Sequence, residues 1–109
     1  MDNARKKDLV REYREQKLVP GIFAVRCGDQ VWVGPSKNLE KQQNSVWFQL
    51  RQNGHMNKAM QAAWNASKGD GFSFEVLEEI ADDNPQMVAL LLKEREALWR
   101  EQLGAGKAL

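Results

Sequence analysis

Gly21-Ile22-Phe23-Ala24-Val25-Arg26-Cys27 and Gln30-Val31-Trp32-Val33-Gly34 stand on either side of Gly28-Asp29, and this pairing constrains the fold more than any other feature of the chain. Both runs are rich in β-branched and aromatic residues, and a Gly-Asp pair between such runs marks a two-residue hairpin loop. The loop sets the register: Val25 lies opposite Trp32, and Phe23 opposite Gly34. Side chains alternate across a strand, so Phe23, Val25 and Trp32 share one face while Ile22, Ala24, Val31 and Val33 line the other.

The segments around the hairpin read mainly as helices. Residues 3–17 mix both charge signs around Leu9, Val10 and Tyr13 and predict a solvated helix, its acidic and basic residues spaced for i,i+3 and i,i+4 pairing. Pro20 ends it. After Pro35-Ser36, apolar residues at 39, 46, 47 and 50 follow a helical period, with Gly54 expected to end that helix and Asn57 to cap the next. Phe72, Phe74 and Val76 alternate with Ser73 and Glu75, which predicts a third strand. Asn84-Pro85 supplies an N-cap and a proline at the first helical position, and the last helix is expected to run to about Leu103, where Gly104 stops it. The expected fold class is α+β: a small three-stranded, mostly antiparallel sheet flanked by helices, with an additional N-terminal helix.

At 109 residues and 42% hydrophobic, the chain reads as one domain over 1–109, with a core of about 20–103. Sixteen Lys and Arg against fifteen Asp and Glu leave a formal charge of +1, so a phosphate-bearing partner would have to use a local patch. A single cysteine, Cys27, allows no internal disulfide and reads as a structural thiol. His55 has no neighbouring Cys or His at ligand spacing, which argues against a zinc site. No apolar run is long enough for a membrane span. A cytoplasmic location is expected, with no membrane partner and no small-molecule cofactor, and nothing in the sequence sets an oligomeric state.

The two glycine-flanked aromatic triplets, Gly21-Ile22-Phe23 and Val31-Trp32-Val33-Gly34, resemble the paired motifs of the GIY-YIG nuclease superfamily, in a degenerate form. The resemblance continues in the same order through GPSKNLEKQQNS, QLRQNGHMNKAMQAAWN, GFSFEVLEEI and EREALW. It implies a fold that hydrolyses a DNA phosphodiester. In the family's enzymes the two motif tyrosines position or deprotonate the attacking water, an arginine on the first helix after the hairpin steadies the phosphate, and a glutamate on a later helix holds one divalent metal ion. Each part meets a demand of the reaction: a proton must leave the water, and charge accumulates on the phosphate oxygens.

This sequence departs from that pattern where the chemistry resides. Phe23 has no hydroxyl, and Trp32 offers an indole N–H that donates but is never a base. Gln42 stands where the phosphate-steadying arginine would be, and an amide cannot grip phosphate as guanidinium does. Losing a general base costs about 10²–10⁴ in rate, and losing one charge-stabilising donor about 10²–10³. Glu96, three residues before Trp99, matches the metal-binding glutamate and is the candidate ligand for one Mg²⁺ or Mn²⁺ ion; its structural alternative is an i,i+4 pair with Arg100.

The leading expectation is therefore a catalytically impaired GIY-YIG-like domain that binds nucleic acid, DNA by family analogy, with Lys37, Lys41, Arg51, Lys58 and Lys68 as candidates for a basic rim. One alternative is an active divalent-metal-dependent endonuclease using Glu96. Another is a protein-interaction scaffold in which Phe23, Trp32 and Trp47 fill the former cleft. Trp47, Trp64 and Trp99 lie on apolar helical faces and read as core, and His55 with Asn57 reads as local hydrogen bonding at the start of a helix.

Overall fold

The computed structural model describes residues 19–108, so the helix expected over 3–17 lies outside the described residues. Strands β1 (Gly21–Cys27) and β2 (Gln30–Ser36) form the hairpin, with Gly28 in the left-handed region at φ +59°. Their register pairs Val25 with Trp32 and Phe23 with Gly34, as the loop length dictates. Helices α1 (Leu39–Arg51) and α2 (Lys58–Ser67) follow, then β3 (Phe72–Glu79), α3 (Pro85–Leu103) and a two-residue strand, β4 (Gly106–Lys107).

The sheet corrects one expectation. Among the described residues it has four strands in the order β3-β1-β2-β4, and it is mixed, because β4 runs parallel to β2 with Trp32 beside Gly106 and Val33 beside Lys107. Two residues, one of them glycine, carry no alternation for a sequence pattern to detect.

The hairpin's two apolar faces each bury a core. Phe23, Val25 and Trp32 pack with Leu39, Val46, Leu50, Met60 and Ala108 beneath α1 and α2. Ile22, Ala24 and Val33 pack with Ile80 and Leu92 beneath α3. Removing a side chain such as Phe23 or Ile22 completely from water is worth about 1.5–3 kcal/mol, and both are fully buried. The helix ends follow local chemistry: Asn57 Oδ1 accepts from the Met60 N–H, Asn84 Oδ1 accepts from Gln86 and Met87, and Gly104 closes α3 in the left-handed conformation. At the end of α1 the expectation shifts by a turn. The helix stops at Arg51, and the left-handed residue is Asn53 rather than Gly54.

A bulge in the β1–β3 ladder re-aims one side chain. Phe23 pairs with Val76 but Ile22 pairs with Glu78, so Leu77 is the extra residue. Without it Glu78 would lie on the α1/α2 face; with it Glu78 faces α3. There its Oε1 accepts from Trp99 Nε1 at 2.9 Å and from Arg95 Nε at 2.8 Å.

Candidate functional site

At the carboxyl end of β2 the chain turns into α1 on one side of the sheet while α3 passes on the other. The divergence leaves a hollow of about 570 Å³ lined by Pro35, Ser36, Lys37, Gln42, Ala89, Leu92, Lys93 and Glu96, within the size range of ligand sites. The Ser36 hydroxyl is buried and accepts from the Asn38 N–H at 3.1 Å while donating to Gln42 Oε1 at 2.8 Å. That bond fixes the Gln42 carboxamide with its oxygen engaged. Its NH₂ group has no partner among the described residues and is free to donate.

Two positions singled out from the sequence thus meet: Gln42 and Glu96 line the same hollow. The other two do not join them. Phe23 is fully buried, its ring stacked on Phe74 with centroids 5.1 Å apart. Trp32 is 5% exposed, stacked on Phe72 at 6.2 Å, and Gly106 of β4 runs close over its indole. Trp47 and Trp64 complete this aromatic cluster, 5.6 Å apart. Phe23 and Trp32 therefore do not fill a cleft. They belong to the core on the α1/α2 face, opposite α3.

Glu96 makes the i,i+4 contact with Arg100: Oε1 lies 2.9 Å from Arg100 Nε. The Nε–H is not aimed at the oxygen, so this is an ion pair rather than a hydrogen bond. A divalent cation at Glu96 would compete with that guanidinium. Among the described residues no group of three or more His, Cys, Asp or Glu side chains converges to hold a metal. Glu96 is the carboxylate of the lining that could hold one Mg²⁺ or Mn²⁺ ion, once freed from Arg100.

Of the five basic residues proposed as a rim, Lys37 lines the hollow. Lys41 is exposed on α1 beside Gln42, Arg51 and Lys58 flank the α1–α2 junction, and Lys68 closes the far end of α2. They are spread along two helices and do not converge on it. Lys93 on α3, which the sequence reading passed over, does line it. Its signal was the three-residue spacing to Glu96, which places both on one helical face.

His55 is buried at the α1–α2 junction, where Nδ1 accepts from the Asn57 N–H at 3.0 Å. Burial pulls its pKa below the ordinary value, partly offset by that hydrogen bond. It serves the turn into α2 and is remote from the hollow's lining.

Comparison with solved structures defines the class: the chain has a GIY-YIG-like fold, that of the GIY-YIG nuclease domains. The particular neighbours are two structures of one protein. The catalytic domain of homing endonuclease I-TevI is 28% identical, with a TM-score of 0.65 over 78% of this chain and 88% of that one. A point mutant of the catalytic domain of intron endonuclease I-TevI is 26% identical, with a TM-score of 0.68 over 80% of this chain and 86% of that one. No family model matches the sequence, and no curated protein matches it. Among the described residues no helix is long and apolar enough to cross a membrane.

Proposed function

We propose that this chain is a cytoplasmic GIY-YIG-like domain that binds the phosphodiester backbone of DNA in the hollow between α1 and α3 without hydrolysing it. One observation carries the reading. The hollow keeps a polar and basic lining in Ser36, Lys37, Gln42 and Lys93, while the two triplet aromatics lie in the core with neither a hydroxyl nor access to it. The I-TevI neighbours are nuclease catalytic domains, which supports nucleic acid as the ligand class.

The chemistry that remains is recognition. Gln42 Nε2 donates to a phosphate oxygen, and a lysine ammonium supplies charge. Nothing in the lining other than Glu96 accepts a proton as a carboxylate or imidazole would, and Glu96 is held by Arg100. The test is a binding titration of labelled duplex DNA over a salt series, run beside a cleavage assay in Mg²⁺ and Mn²⁺. Binding that weakens steadily with salt, on DNA that stays intact, is expected. Absent or salt-independent binding overturns the ligand class, and nicking abolished by Glu96→Ala shows the metal-dependent endonuclease instead.

A further inference from the structure

We propose that Lys93 on α3 is the cation that grips the nucleic-acid phosphate, supplying from one wall of the hollow the charge that Gln42 on the other wall lacks. The inference rests on the binding function proposed above and names the residue that carries it.

The charges around the hollow single Lys93 out. Glu96 is matched by Arg100 at 2.9 Å. Neither Lys37 nor Lys93 has an ion-pair partner among the described residues. The two lysines are not equivalent, because Lys37 also borders the adjoining hollow, whose lining includes Asp82 and Asp83. Those carboxylates repel an anion at that end. Lys93 stands at the other end, one helical turn before Glu96 and on the α3 stripe of Ala89, Leu92 and Glu96 that faces the hollow.

Across from it, Gln42 is held by the Ser36 hydroxyl at 2.8 Å with its amide NH₂ left to donate. A fixed neutral donor on one wall and a lysine point charge on the other form a two-sided phosphate contact. The guanidinium of a GIY-YIG enzyme supplies both functions from the α1 position alone. Here they are divided between two helices. Lys93 is a binding residue in this account and moves no proton.

The experiment is fluorescence anisotropy with a labelled DNA duplex between roughly 50 and 200 mM salt, with thermal melts confirming that each variant is folded. Lys93→Gln is expected to weaken binding several-fold at the low-salt end and to make the slope of log K against log salt shallower by about 0.9, the share of one phosphate contact. Lys93→Arg should keep the wild-type slope, and Lys107→Gln, on β4 and outside the hollow's lining, should match wild type. Adding Gln42→Arg to Lys93→Gln should restore the lost slope by returning the charge to α1. An unchanged slope in Lys93→Gln, with the wild type still binding in a salt-dependent way, overturns the role of Lys93 and leaves the binding function standing. A slope that stays shallow in the double variant overturns the exchange of charge between the helices. A wild type that does not bind duplex DNA overturns both readings together.

Discussion

Gly21 and Gly34, the outer glycines of the two triplets, are required by packing whether or not the site works. A β-carbon on Gly21 would lie 2.2 Å from the Glu78 carbonyl oxygen and 2.5 Å from Leu39 Cδ1; on Gly34 it would meet Phe23 Cζ at 3.0 Å and Ala108 Cβ at 3.1 Å. Overpacking of this kind costs about 1–3 kcal/mol. Urea unfolding should rank Gly21→Ala as the more damaging change, since a strand carbonyl yields less readily than a ring or a methyl; equal stability of the two variants would contradict that contact. The motif glycines thus have a packing role of their own. Phe23→Tyr makes the complementary point. The new hydroxyl would enter a fully buried position, where an unpaired polar group costs about 1–3 kcal/mol, so the variant should be less stable than wild type and no more able to cleave DNA.

At the scale of elements, the β3 bulge and the α1–α2 junction each hold a group whose ionisation is coupled to folding. The Trp99 and Arg95 donors hold the Glu78 carboxyl below its ordinary value of 4.5. A carboxylate with a depressed folded pKa stabilises the native state above its unfolded value, and that contribution is lost as pH falls through the folded one. Glu78→Gln should therefore lower stability at neutral pH, with the deficit shrinking as pH falls below about 4.5; a deficit constant through that fall would show that the charge is not the stabilising feature. His55 acts in a higher window. Its folded pKa lies below the ordinary 6.5, so the unfolded chain takes up the proton first, and stability starts to fall as pH drops through the unfolded value. Replacing His55 with Gln should flatten the stability profile below about pH 6.5, whatever it costs overall.

For the whole molecule, sequence pattern and tertiary packing divide the account between them. The hairpin register, the two faces of β1 and β2, the caps at Asn57 and Asn84 and the stop at Gly104 are local chemistry, and the pattern reads them directly. The turn at Asn53 departs from pattern because asparagine also tolerates the left-handed conformation. In the run Lys93-Glu94-Arg95-Glu96 the motif resemblance singles out Glu96 alone, and the seating of α3 on the sheet shows that Lys93 lines the hollow with it while Arg95 reaches Glu78. Likewise the triplet aromatics can be read as aromatic from sequence, but their burial depends on α1, α2, Phe72 and the C-terminal strand arriving over them. The strand tip is accordingly a structural part of the domain: deleting residues 106–109 should lower stability and open Trp32 to acrylamide quenching, and unchanged quenching would mean that β4 does not cover it.

The central claim, a hollow that still holds the DNA backbone but no longer contains a group to activate water, is met most directly by incubating supercoiled plasmid in Mg²⁺ or Mn²⁺ with enough protein to saturate it. The account predicts a retarded, fully supercoiled plasmid that is recovered intact when the protein is removed. Plasmid converted to nicked circles by the wild type, and left supercoiled by Glu96→Ala, would contradict it.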